Sequence, residues 1–145
     1  VRLAARRRRA AGTSGAPSVA CAAAAASGDK RTDPLVVYVV LRKDLDWPVG
    51  ALINQACHAC SAVAWEARAD ERAAEYLSEA EGQMVKFTMG VKGDAELSKL
   101  AGKLDGAGLP YKLWVEQPEN IPVCLATWPR RKSEFKKVMK GVSRF

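Results

Sequence analysis

Two polar side chains that could take part in catalysis lie in a largely apolar stretch, WPVGALINQACHACSAVAW, at residues 47–65. Gln55 and His58 are three residues apart, so a helix would place them on one stripe of its surface. An imidazole can transfer protons near neutral pH, whereas an amide can orient water. A lone histidine in an apolar helix is more often a core residue. The nearby Gln55 favours a shared functional role, and both interpretations of His58 remain open.

A third candidate lies in the polar segment EQPEN at residues 116–120, directly after a predicted strand. One interpretation is a solvated turn, and the other is an acid, Glu116, that faces the same cleft as His58. We expect Glu116 to end a strand that neighbours the first strand of the sheet. If this carboxyl is partly buried, its pKa should be raised, because burial disfavours the charged form.

The sequence C-H-A-C at residues 57–60 raises the question of a metal or redox site. Structural zinc needs four ligands, and only Cys124 remains in the folded part. A redox pair usually begins at a helix N-terminus, whereas both cysteines here lie well inside the predicted helix. We therefore predict that they pack as small apolar residues, that no metal is bound, and that the compartment is reducing. Phosphate-loop and dinucleotide motifs are absent, and without a G-x-S-x-G motif a Ser/His/Asp triad has no support.

The elements that must position these residues alternate between strand and helix. The run LVVYVVL at 35–41 predicts a central strand covered on both faces. Pro48 suits the first turn of a helix to about residue 69, which is apolar on all sides and therefore predicted to be buried. Further predictions are helices over 70–80, 94–107 and 131–139 and strands over 84–89, 111–115 and 122–127. This order predicts an α/β fold, a three-layer α/β/α sandwich with a four-stranded mixed sheet.

The N-terminal residues differ in composition from the rest of the chain. Residues 1–28 contain five arginines and no acid, whereas residues 29–145 contain 18 basic and 16 acidic residues. A disordered extension and an organellar transit peptide explain this composition equally well, and a basic tail for nucleic acid is a third interpretation. We exclude residues 1–33 from the fold and predict one domain over 34–145. No apolar run is long enough to span a bilayer, so no membrane partner is predicted.

Three sequence blocks together resemble a known family. They are VVLRKDL at 39–45, GALINQACHA at 50–59 and LWVEQPENIP at 113–122, and Gly82-Gln83 also fits. Residues 35–145 resemble the archaeal and eukaryotic type of peptidyl-tRNA hydrolase, which is unrelated to the bacterial type. The resemblance is greatest to its divergent branch, peptidyl-tRNA hydrolase domain-containing protein 1. It implies hydrolysis of the ester between peptide and tRNA, without a metal or cofactor, to release free tRNA.

The resemblance also implies roles for individual residues. Glu116 corresponds to the acid of a family loop and is the candidate base, while His58 and Gln55 would position water or stabilise charge. The implied substrate-binding residues are Arg42, Lys43, Asp44, Asn120 and Lys136.

Two family lysines that flank a glycine correspond to Val49 and Ala51, on either side of Gly50. This difference leaves open an alternative function, a domain that binds tRNA or a protein without catalysis. We also expect a homodimer. The expected compartment is the cytoplasm, or a mitochondrion or plastid if the extension is a transit peptide.

Overall fold

The computed structural model describes residues 33–78 and 84–145 and confirms the predicted α/β class. The elements in these residues are β1 Leu35–Arg42, α1 Val49–Glu66, α2 Glu71–Leu77, β2 Lys86–Val91, α3 Asp94–Gly106, β3 Tyr111–Glu116, β4 Ile121–Thr127, β5 Arg130–Arg131, α4 Lys132–Phe135 and β6 Ser143–Arg144. The predictions for residues 1–32 and for the pair at 82–83 lie outside the described residues.

The strands form one mixed sheet in the order β3-β4-β1-β2-β6, and β5 pairs with the beginning of β1. β1 and β2 are parallel, and the other pairs are antiparallel. The central position of β1 is confirmed, because it has neighbours on both sides and is buried along almost its whole length. The predicted number of four strands is wrong, since the sheet in the described residues has six. β5 and β6 are two residues each, too short for a period-two pattern to reveal them.

Helices cover both faces of the sheet. Side chains alternate between the two faces along β1, so successive β1 residues pack against different helices. One face carries a cluster that includes Leu35, Val37, Val39 and Leu41 of β1, Ala59 and Val63 of α1 and Tyr76 of α2. The other face carries Val36, Tyr38 and Val40 of β1, Leu97, Leu100 and Leu104 of α3 and Phe135 of α4. The sheet is therefore the middle of three layers.

Helix α1 is buried on one face only, so the prediction that it is buried on all sides is wrong. Its buried residues are Gln55, Ala59 and Val63, whereas Ile53 and Trp65 are 56% and 68% exposed. Many α1 residues are alanine, cysteine or serine, and these small side chains raise apolar content without requiring burial. Among the described residues, no helix has the length and apolar character needed to cross a membrane.

Two further predictions are corrected by the arrangement after α3. The predicted helix over 131–139 is only the four residues of α4, followed by turns up to residue 141. The predicted pairing of the strand that ends in Glu116 with the first strand is also wrong. Residues 117–120 form a turn between β3 and β4, so the two pair as a hairpin and β4 lies between β3 and β1.

Asp33, which we assigned to the N-terminal extension, contacts the beginning of α4. Its carboxylate accepts hydrogen bonds from the backbone N–H and hydroxyl of Ser133, at 2.8 and 2.6 Å. These bonds, the hydroxyl bond most of all, lower the pKa of Asp33. The residue before Pro34 is therefore tied to the C-terminal part of the chain.

Candidate active site

One face of β3 is aligned along helix α1. Lys112, Trp114 and Glu116 alternate along β3, so their side chains lie on the same face of the sheet. The ammonium of Lys112 forms a salt bridge of 2.5 Å with Glu66, near the C-terminal end of α1. Further along, the Trp114 indole stacks on His58, with ring centroids 5.0 Å apart and planes inclined by 19°. The residues with potential for chemistry are at the far end of this row.

The Glu116 carboxylate lies at the end of β3 and is held by two neighbours. Trp114 Nε1 donates a hydrogen bond of 2.9 Å to Glu116 Oε2. This bond is the largest cause of a lowered pKa of Glu116. A hydrogen bond with Gln55 and the nearby His58 also lower this pKa, and together the three outweigh burial, which raises it. The expected rise in this pKa is therefore wrong, because donors around the carboxylate stabilise its charged form. Glu116 is ionised at neutral pH.

Gln55 places a buried amide beside this carboxylate. Its side chain is 5% exposed, and its Oε1 has no hydrogen-bond partner among the described residues. The Cys124 thiol donates to the Gln55 backbone oxygen at 3.4 Å, which ties α1 to β4 at this point. A buried acceptor without a donor costs about 1–3 kcal/mol. A functional role is one explanation for retaining such an atom.

His58 is exposed on α1, so the interpretation that it is a core residue is wrong. The contact that positions the imidazole is the stacked Trp114. Stacking on an indole face leaves the ring nitrogens at the edge free to donate or accept hydrogen bonds. The structure therefore brings His58, Gln55 and Glu116 together, with Trp114 touching two of them.

The cysteines differ in their surroundings. Cys124 is fully buried, and burial raises the pKa of its thiol to about 12. Burial also raises the pKa of Cys60, which packs against the same core cluster. Cys57 is exposed, so the prediction that it packs as a small apolar residue is wrong. Within residues 33–78 and 84–145, no group of three or more histidine, cysteine or acidic side chains is arranged to hold a metal ion.

Arg42 makes internal contacts at the end of β1. Its guanidinium donates to both carboxylate oxygens of Asp44, at 2.9 and 2.7 Å, and to the backbone oxygen of Pro122 at 2.9 Å. The bonds with Asp44 raise the pKa of Arg42 and lower that of Asp44. Glu116 of β3 pairs with Ile121 of β4, and Pro122 is the next residue of β4. The Arg42–Asp44 ion pair therefore lies close to the end of the hairpin that carries Glu116.

The remaining predicted binding residues do not join this cluster. Lys43 donates to the backbone oxygen of Arg144 at 2.9 Å, beside the last strand. Asn120 lies in the turn between β3 and β4 with φ of 54°, and its Oδ1 accepts from Gln117 Nε2 at 3.1 Å. Lys136 is exposed and follows α4, on the opposite face of the sheet from α1.

Trp114 is the residue of this site that our sequence reasoning missed. It occurs in the block LWVE, two residues before Glu116 in a predicted strand. Period-two alternation places such a pair on one face, so the strand prediction alone could have identified Trp114 as a neighbour of the carboxylate.

Comparison with known proteins agrees with the resemblance seen in the sequence. Residues 35–145 match the family model described as Peptidyl-tRNA hydrolase PTH2. Human and mouse proteins named "Putative peptidyl-tRNA hydrolase PTRHD1" are each 41% identical over 111 residues, which cover 73% of this chain and 79% of the relative. The match includes every described helix and strand. The chain therefore belongs to the PTH2 family of peptidyl-tRNA hydrolases.

Proposed function

We propose that this protein hydrolyses the ester between a peptide and tRNA, with Glu116, Gln55 and His58 as its catalytic residues. The observation that supports this most directly is the contact of an ionised carboxylate with a buried amide whose oxygen lacks a donor. A general base must be unprotonated, and the lowered pKa of Glu116 meets this condition at neutral pH. The hydrogen bond with Gln55 holds the carboxylate in one orientation, in which it can activate a water molecule.

The proposed reaction requires one water molecule and no other reactant. Glu116 accepts a proton as the water oxygen attacks the ester carbonyl carbon, while Gln55 orients the Glu116 carboxylate through its hydrogen bond. His58 donates an N–H to the carbonyl oxygen, on which negative charge develops. The bond from the carbonyl carbon to the ribose oxygen then breaks, and that oxygen leaves with the proton held by Glu116. The products are the peptide acid and free tRNA.

We assign supporting roles to the other predicted residues. The Arg42–Asp44 ion pair holds the beginning of β4, and so the pairing partner of Glu116, through Pro122. Lys43 and Lys136 are proposed to contact phosphate, and Asn120 to shape the turn beside the site. A homodimer and a location in the cytoplasm or an organelle remain predictions. We propose one domain over 34–145 as the catalytic unit.

The test is turnover of an N-acetylated aminoacyl-tRNA by the purified full chain, measured as release of free tRNA. We expect Glu116→Gln to lower turnover by roughly two to four orders of magnitude and to leave tRNA binding nearly unchanged. The matched control is Glu119→Gln, an exposed acid in the adjacent turn, which should behave like wild type. Equal activity of the two variants would contradict the assignment of Glu116 as the base.

A second function is supported by Val49 and Ala51. These residues replace the lysines that the family resemblance implies on either side of Gly50, and Val49 is 72% exposed at the beginning of α1. A domain that has lost those charges could still bind tRNA without cleaving it. Salt-dependent tRNA binding by wild-type protein, with no turnover above the Glu116→Gln variant, would favour this alternative.

A further inference from the structure

A basic groove of about 580 Å³ lies between β2, α3 and the C-terminal segment. Its charged lining consists of Lys43, Lys92, Lys99, Lys103, Lys140 and Glu96. Lys99 and Lys103 are one helical turn apart on α3, about 6 Å along its axis. The proposed hydrolytic mechanism uses no residue of α3, so the reaction does not account for this concentration of lysines.

The positive charge of the groove is largely uncompensated. Glu96 is engaged by Lys92, whose backbone N–H donates to Oε2 at 2.8 Å and whose ammonium lies 4.0 Å from Oε1. In the part of the chain that the structure describes, Lys99, Lys103 and Lys140 take part in no ion pair. Several unpaired lysines around one concave surface attract anions, and most strongly an anion with several charges.

Lys43 is fixed in the wall of the groove. Its ammonium donates to the Arg144 backbone oxygen at 2.9 Å and to Ser143 Oγ at 3.3 Å. Its stem crosses Gly90, where an added Cβ would lie only 1.9 Å from Lys43 Cε. A glycine inside a strand weakens the strand, and here it leaves room for a lysine side chain. One charge of the groove is therefore already positioned before any ligand arrives.

We infer that this groove, the lysine groove, binds the phosphate backbone of tRNA while the ester lies at Glu116, an inference that rests on the proposed function. Besides its charged residues, the lining is made of small or aliphatic residues and Ser143, so it offers charge without a surface for stacking bases. Such a surface contacts phosphates without reading sequence. Helices α3 and α1 lie on opposite faces of the sheet, so the groove and the candidate site are connected at the end of β1. There Lys43 of the groove follows Arg42, which contacts Pro122.

The test measures binding of deacylated tRNA to the full chain by fluorescence anisotropy over a range of salt concentrations. Lys99→Glu and Lys103→Glu should each weaken binding roughly fivefold to tenfold at about 0.1 M salt and lower the salt slope by about one. The control is Lys112→Glu, which makes the same charge change on β3, at the opposite edge of the sheet, and which also removes the salt bridge with Glu66. It should change affinity by less than about twofold, and thermal melts should show that all three variants fold.

The experiment distinguishes failure of the proposed tRNA binding by the groove from failure of the proposed hydrolysis. Groove variants that bind tRNA as tightly as Lys112→Glu would overturn the inference and leave the proposed hydrolysis intact. Displacement of tRNA by adenosine monophosphate at an equal phosphate concentration would also overturn it, because the groove would then take single phosphates. If wild-type protein releases no tRNA from the ester but the groove variants lose tRNA binding, the inference stands and the proposed hydrolysis fails.

Discussion

The indole N–H of Trp114 donates a hydrogen bond of 2.9 Å to the carboxylate of Glu116, two residues further along the same strand. The same indole stacks on His58. One side chain thus lowers the pKa of the candidate base and positions the histidine. Because these two effects act through different parts of the indole, substitution can separate them.

Replacing Trp114 with phenylalanine should shift the pH dependence of hydrolysis. The variant retains an aromatic face for His58 but loses the donor that contributes most to lowering the pKa of Glu116. That pKa should rise, so less of the base is ionised at acidic pH. The acid limb of kcat/KM should move to higher pH, with activity near neutral pH changed much less. The control is Trp128→Phe, and an acid limb unchanged in Trp114→Phe would contradict the prediction.

Replacing Gln55 with methionine should separate stability from activity. Methionine has a similar shape but removes both the buried Oε1 that lacks a partner in the described residues and the hydrogen bond with Glu116. We expect the free energy of unfolding to change by less than about 1 kcal/mol, since the loss of an unsatisfied acceptor and the loss of a hydrogen bond offset each other. Turnover should fall by roughly two orders of magnitude if Gln55 orients the Glu116 carboxylate. Urea unfolding and initial rates on the same preparations measure both, and unchanged turnover would exclude Gln55 from the reaction.

Stability in acid should depend on Asp70, which lies before α2. Its carboxylate accepts two hydrogen bonds from Arg130, at 3.1 and 3.0 Å, and caps α2 through the Ala73 N–H at 3.0 Å. Burial raises the pKa of Asp70, but these bonds outweigh burial and lower it overall. A lowered pKa contributes stability that is complete above the unfolded value of about 4 and is lost as the pH falls through the folded value.

Asp70→Asn should therefore lower the free energy of unfolding by about 1–3 kcal/mol at pH near 7. The difference from wild type should shrink as the pH falls below about 4. Urea unfolding at both pH values measures this, with the neighbouring Glu71→Gln as the control. A difference independent of pH would show that the Asp70 charge is not responsible.

Lys136→Glu tests whether phosphate contacts extend to the surface after α4. Lys136 is exposed, so the substitution should leave the fold intact. If Lys136 contacts tRNA, affinity should fall several-fold and the salt slope by about one. The matched comparison is Lys99→Glu in the lysine groove. Loss of affinity in Lys99→Glu but not in Lys136→Glu would show that tRNA phosphates contact the groove and not Lys136.

The sequence was enough to predict the sheet centre and much of the candidate site, because both depend on local periodicity. The apolar run at 35–41 is too short for a buried helix, so it predicts a buried strand. Gln55 and His58 are three residues apart, so any helix over this stretch places them on the same side. The pKa of Glu116 could not be predicted, since it depends on which donors surround the carboxylate. β5 and β6 are formed by pairing with strands that are distant in the sequence, and two residues are too few to show a strand pattern.

The place of β4 between β1 and β3 has a consequence during synthesis. Among the described strands β3 pairs only with β4, so the strand that carries Glu116 is not fixed in the sheet until β4 has left the ribosome and paired with β1. Until then the growing chain carries the histidine and the glutamine of the site without its carboxylate in position. A growing chain is itself joined to tRNA by the ester that we propose this protein cleaves. The strand order thus delays the complete site until most of the domain has been made.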